Sequence, residues 1–214
     1  MKKTPFLLFF GILFIVIDVM NPHALLRGNP EGVLVFIGDS ITEGYGIKQD
    51  QAYPALLEKK VKKELKKNYR FVNASASGST SSSGHSRLKW QLKGKPTHLI
   101  LALGANDGLR GIPVAKTYEN LEKTIKLAKA NKMQVLLTGM KMPPNYGAEF
   151  TASFEKIFPS LASKHSVIFM PFLLAQVAGE KSYNLSDGIH PNEEGHKIIA
   201  KNMWPHIKKL LTKS

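Results

Sequence analysis

The chain has no cysteine. This excludes disulfides, thiolate metal sites, a cysteine nucleophile and a lipid attached through an N-terminal cysteine. Acidic residues are also in short supply, 16 against 30 basic ones, for a net charge of +14 over 214 residues. Such an excess favours anionic surfaces, whether lipid head groups, acidic glycans or nucleic acid. No aromatics interleave with the main lysine cluster to stack bases and no nucleic-acid motif accompanies it, so a nucleic-acid partner is not expected. There is no HExxH pattern. His190, Glu193, Glu194 and His196 lack a second ligand cluster, so a metal hydrolase is set aside and no cofactor is required.

The longest apolar run, residues 5–17, falls short of the ~20 residues that span a bilayer. Lys2 and Lys3 precede it and Asp18 ends it, the pattern of a secretory signal over residues 1–24. Ala24 fits a cleavage site, but Pro22 two positions earlier matches poorly. A retained anchor through residues 5–20 is therefore the alternative. In both cases residues 25–32 serve as a tether. The folded domain, residues 33–214, is expected in the periplasm, secreted, or held at the outer face of the inner membrane.

At 43% hydrophobic content, that length suits one substantial core. Apolar runs and helical periodicities alternate along it. Strands are expected at 33–37, 70–73, 98–103, 134–138 and 166–170. Helices are expected at 53–66, 88–93, 115–131, 148–163 (bent near Pro159) and 192–211. Leu57, Val61 and Leu65 give the first helix an inner stripe and leave its lysines outside. Asn192 is placed to cap the last helix. The serine-rich stretch 75–84 has the composition of a linker, but elements flank it closely, so it reads as a loop within one domain. Strict alternation of strands and helices implies a mostly parallel sheet with helices on both faces, whose ligand crevice lies beyond the carboxyl ends of the strands. Ser40, Gly78 and Asn106 each follow an expected strand.

Gly38-Asp39-Ser40 presents a hydroxyl at a strand-to-helix turn, where Ser40 could also be an ordinary cap. Asp187-Gly188-Ile189-His190-Pro191 places a carboxylate three residues before an imidazole. Such a carboxylate can take one ring N–H and leave the other nitrogen as a base, although Asp-Gly is also a common turn. A nucleophile, a base and a group to orient the base are what acyl transfer through a serine ester needs. The side chain of Asn106, in Gly104-Ala105-Asn106-Asp107, can donate to an oxyanion. Leu109, Ile112, Met140, Met142, Tyr146 and Phe150 follow strands three and four and are expected on the rim, where an acyl chain could lie against them.

These blocks, in this order, resemble the SGNH or GDSL-type hydrolase family over about residues 33–211. Asn73-Ala74-Ser75, Gly108-Leu109-Arg110-Gly111 and Pro144-Asn145-Tyr146-Gly147 bring the likeness nearest to the family's bacterial acyl thioesterases, which are periplasmic esterases and lysophospholipases. The resemblance implies Ser40 as nucleophile, His190 as base and Asp187 as its partner. It implies oxyanion donors at the Ser40 and Gly78 N–H groups and the Asn106 side chain. It also implies a three-layer α/β/α sandwich around a five-stranded parallel sheet of flavodoxin-like topology. Ile41 replaces the family's usual leucine, and Ser79 an aspartate common beside the second-block glycine. The expected function is hydrolysis of acyl esters or thioesters, including lysophospholipids, with an anionic lipid surface as a possible partner. The alternatives are a carbohydrate O-acetylesterase with the same triad, or a non-catalytic protein binding anionic envelope polymers.

Overall fold

The computed structural model describes residues 29–212. The expected signal or anchor (residues 1–24, or 5–20) and residues 25–28 of the tether lie outside them. No helix among the described residues is long and apolar enough to cross a membrane.

Every residue of β1 (Gly32–Gly38) is buried, which is why this run is apolar without alternation. It starts one residue earlier than expected, and Glu31 already pairs with Asn68 beside it. β1 lies between β2 (Tyr69–Asn73) and β3 (His98–Ala102), followed outward by β4 (Gln134–Thr138) and β5 (Ile168–Met170). All four pairings are parallel, in the order β2-β1-β3-β4-β5. This is the flavodoxin-like order, whose crevice opens where the winding reverses, between β1 and β3.

The helices are α1 (Ser40–Glu43), α2 (Tyr53–Lys60), α3 (Gly84–Gln91), α4 (Ala105–Leu109), α5 (Val114–Ala130), α6 (Ala148–His165) and α7 (Glu193–Thr212). α2 packs with α7, and α5 with α3 and α6, so the two groups form layers around the sheet. The expected helix 53–66 divides: α2 gives way to a wide π-type turn at Val61–Leu65, ended by Lys66 in a left-handed conformation. Leu57 and Val61 are buried and Leu65 is half-buried, so the inner stripe persists through the change of pitch. α6 continues through Pro159 to His165. Asn192 caps α7, its side chain accepting from the Gly195 N–H at 3.1 Å.

One core cluster runs from Val33 to Leu211. A side chain such as Leu101 or Phe154, wholly buried there, contributes ~1.5–3 kcal/mol over remaining exposed. Two histidines sit in this interior. His196 Nδ1 accepts from the Tyr53 N–H at 3.1 Å, tying α7 to α2, and His98 packs edge-on to Tyr69. Burial lowers both rings to about 4. The unfolded chain takes up those protons near the ordinary value of ~6.5. The stability that the two neutral rings contribute is therefore complete above that value and lost as pH falls from about 6.5 towards 4, by on the order of 2–3 kcal/mol per ring. Asp39, raised to about 6, offsets part of this loss. Urea midpoints should therefore drop between pH 7 and 4.5 by less than the two rings alone would give, and His196→Gln should shrink the drop. Equal midpoints at the two pH values would contradict this account.

Candidate active site

β1 ends at Gly38, and the chain turns at once into α1. Asp39 caps that turn, its carboxylate accepting from the Ile41 N–H at 3.1 Å. Its second oxygen is buried without a hydrogen-bond partner. Burial pushes this carboxyl up to about 6, against the pull of the Ile41 N–H and of His190. Ser40 is thereby the first residue of a helical turn, where backbone N–H groups lack internal partners.

The chain near the C-terminus folds back to meet it. Asn184 bridges Pro191, and the Leu185 N–H donates to the His190 carbonyl at 2.8 Å. Within this tight loop, Asp187 Oδ1 accepts from the backbone N–H groups of Ile189 and His190, at 2.8 and 3.0 Å. Asp187 Oδ2 lies 2.7 Å from His190 Nδ1, and His190 Nε2 lies 2.9 Å from Ser40 Oγ. Three residues from opposite ends of the described chain form one relay. The His190 backbone N–H, the His190 ring and the Ile189 N–H hold the Asp187 carboxyl down at about 2. Its Oδ2 is placed to accept a proton carried on Nδ1, which leaves Nε2 towards the serine.

The α1–α2 connection supplies two further contacts. The Tyr45 ring lies 4.6 Å from the His190 ring, tilted by 45°. The Leu185 side chain rests against the bare Cα of Gly46, where a Cβ would come within 2.4 Å of it.

The expected oxyanion residues gather by a different route. Hydrogen bonds stitch the end of β2 and the loop after it to α1 and to the end of β1. The Asn73 side chain donates to the Thr42 carbonyl at 2.8 Å, and the Ala76 N–H donates to the Gly38 carbonyl at 3.2 Å. The Ser77 N–H donates to the Glu43 carboxylate at 2.6 Å. Gly78 follows with φ of +73°, a left-handed backbone that side-chain-bearing residues rarely adopt. Arg110 donates to its carbonyl at 3.1 Å. Gly104, also at positive φ, ends the third strand's exit against the Phe158 ring, where a Cβ would come within 3.0 Å of it. The turn then delivers Asn106, whose Nδ2 donates to the Ser79 carbonyl at 3.0 Å, one residue beyond Gly78. An amide nitrogen carries two hydrogens, so one remains for another acceptor.

Sequence reasoning missed the clamp that holds the latter two loops together. Asp107 is wholly buried and accepts from the Ser81 N–H at 2.8 Å, the Ser81 hydroxyl and the Thr117 hydroxyl. Asn120 donates to the same Ser81 oxygen at 3.0 Å. A carboxylate directly after Asn106, together with a serine-rich loop, was the available signal. The pairing across 26 residues needed the fold.

The expected substrate rim divides. The Tyr146 hydroxyl meets the Leu109 carbonyl at 3.4 Å, and both side chains are exposed. Met142 packs directly on Gly108, and Ile112 is half-buried. Phe150 continues from Tyr146 into a row of rings with Phe154 and Phe158. Met140 is not on the rim. It is 3% exposed and belongs to the core, because the chain is still leaving the sheet beside β5 at that point. A groove of about 550 Å³ runs beside Tyr146, lined also by Val114, Phe150 and Ser153. No group of three or more His, Asp or Glu side chains that could hold a metal occurs among the described residues.

Residues 36–198 match the model of the GDSL-like Lipase/Acylhydrolase family. The chain belongs to that family. Among its relatives is "Esterase TesA" of Pseudomonas aeruginosa, 38% identical over 179 residues, covering 83% of this chain and 89% of that protein. "Thioesterase 1/protease 1/lysophospholipase L1" of Escherichia coli is 35% identical, covering 86% of this chain and 88% of that one. A solved structure of the psychrotrophic esterase EstA from Pseudoalteromonas sp., inhibited by monoethylphosphonate, superposes with a TM-score of 0.80 at 33% identity. It covers 86% of this chain and all of its own. The fold expected from the sequence is the one found.

Proposed function

We propose that this acylhydrolase is a serine esterase and thioesterase working through an acyl-enzyme. The observation that carries the reading is the continuous relay Ser40–His190–Asp187, with both contacts shorter than 3.0 Å. His190 Nε2 takes the Ser40 proton as Oγ attacks the acyl carbonyl, then returns it to the departing alcohol or thiol. Water repeats the sequence and releases the acid. Asp187, fixed in its ionised form, stabilises the imidazolium that appears in both steps. The Tyr45 face beside the ring adds a favourable cation–π contact to the same charge. The Ser40 and Gly78 N–H groups and the Asn106 amide receive the oxyanion. Asn106→Ala should lower kcat by roughly 10²–10³-fold with little change in KM, since the bond is made to charge that develops only in the transition state.

The acyl group is a medium-to-long chain. Leu109, Ile112, Met142 and Tyr146 offer it an apolar path, and each methylene buried there contributes about 0.8 kcal/mol. The relatives' names support acyl thioesters and lysophospholipids as the substrate class. Residues 33–214 constitute the hydrolase domain. Residues 1–24 direct or anchor it outside the cytoplasm through 25–32, supported by the Lys2-Lys3 start and the short apolar run.

A fluorophosphonate probe tests the assignment. It should label the wild type once, at Ser40, and fail on Ser40→Ala; labelling that persists in the variant would refute it. Across p-nitrophenyl esters, kcat/KM should rise with chain length from acetyl. A fall with every added methylene would refute the acyl path.

A further inference from the structure

Ten of the fourteen net positive charges lie in two short segments. Residues 59–70 and 87–95 together carry eleven basic side chains and a single acid, Glu64. The first segment runs through the wide turn into β2, and the second covers most of α3 and the turn after it. They converge because β2 is an edge strand. Gly94 lies against the Arg70 guanidinium, and Arg87 donates to the Ala74 carbonyl just beyond β2 at 3.2 Å. Only two ion pairs offset this charge among the described residues, Lys60–Glu64 at 2.8 Å and Lys59–Asp50 at 4.0 Å.

An exposed tryptophan completes the edge. Trp90 is 67% exposed, the most exposed large apolar side chain described, and the Lys93 ammonium sits 3.8 Å above its ring. Beneath it is a groove of about 380 Å³ lined by Ala74, Ser75, Ser86, Arg87 and Gln91. The Ser75 hydroxyl and Arg87 Nε, at its wall, have no hydrogen-bond partner. An indole flanked by lysines suits the headgroup zone of a bilayer, where the ring lies among the lipid heads and the ammonium groups meet phosphate. A nucleic acid would call for a succession of stacking rings, and this edge presents one.

We infer that the β2 edge, from Lys62 to Lys95 with Trp90 at its centre, is a docking surface for an anionic phospholipid bilayer. It deepens the acyl-lipid reading above by naming where the lipid phase meets the protein. Ser75 lies on the loop that ends in Gly78, so docking sets the reaction mouth beside the membrane rather than in open solvent.

The test uses the full chain with Trp204→Phe, which leaves Trp90 as the only indole. Its emission should shift to the blue with phosphatidylcholine vesicles containing phosphatidylglycerol and return in high salt. It should not move with phosphatidylcholine alone. Any contribution of residues 5–17 is common to both vesicles and to both variants, so the difference between them reports the edge. Neutralising Lys62, Lys63 and Lys66 together to Gln should weaken the anionic-vesicle binding on the order of 100-fold. The same variant should turn over a soluble p-nitrophenyl ester as the wild type does. Vesicle sedimentation of that triple variant in the Trp204 background gives the same comparison without the Phe substitution. An unshifted Trp90, an equal shift on neutral vesicles, or undiminished binding by the triple variant would overturn the proposal. So would a shift produced by duplex DNA or heparin and not by vesicles, which would assign the edge to a soluble polyanion. Fluorophosphonate labelling of Ser40 is independent of all these outcomes.

Discussion

Replacing Ser40 by alanine is expected to lower kcat on acyl esters by roughly 10⁶-fold while leaving the protein folded. The size follows from losing the covalent route altogether: no other hydroxyl stands within bonding distance of His190 Nε2 among the described residues. What remains is the oxyanion site and substrate binding, worth roughly 10³–10⁴ over water. Folding should be spared because the Ser40 side chain makes one bond, to His190, while Asp39 does the capping. Single-turnover assays with p-nitrophenyl esters and urea midpoints of both proteins check the two halves. Turnover within tenfold of wild type would remove Ser40 from the mechanism. A large drop in midpoint would mean that lost activity reports lost structure.

Asp187→Asn should cost about 10⁴-fold in kcat, for a reason visible in the hydrogen bonds. The Asn oxygen can still accept from the Ile189 and His190 N–H groups, as Asp187 Oδ1 does. That leaves its NH₂ facing His190 Nδ1, in place of an acceptor. The ring must then carry its proton on Nε2, and Nε2 can no longer take the proton of Ser40. Because its hydrogen bonds to His190 and Ile189 hold the wild-type carboxyl down at about 2, no step in kcat/KM between pH 4 and 9 should belong to it. Protein folded as wild type by circular dichroism yet active within tenfold would show that Asp187 is dispensable as an orienting group.

How much of this was legible beforehand varies from element to element. The central strands were plain because β1, β3 and β4 are buried on both faces and read as unbroken apolar runs. The wide turn at Val61–Leu65 was not, since the spacing of Leu57, Val61 and Leu65 fits a regular helix equally well. Met140 was misplaced on the rim for a similar reason. Hydrophobicity marks a residue as apolar, but whether it caps the core or lines a mouth depends on what arrives beside it, here the chain leaving β5. Ser40, His190 and Asp187 were singled out by local chemistry and given roles by the family resemblance, whereas Asp107 drew no role because its partners Ser81 and Thr117 lie in other loops.

The amino-acid sequence alone determined the chemistry on offer and the layering that holds it. A hydroxyl after a buried strand, a carboxylate three residues before an imidazole and a strict alternation of strand and helix are all short-range patterns. The tertiary structure decided which of these groups meet. The order β2-β1-β3 opens a crevice at the end of β1, and the stitched loops turn Gly78 and Asn106 towards it. Folding α7 back against α2 brings the loop before it over Ser40, 150 residues away. It also gathered the lysines of two segments along one sheet edge. Spatial convergence of this kind is set by packing and loop closure, which act between residues far apart and leave no periodic trace in the chain.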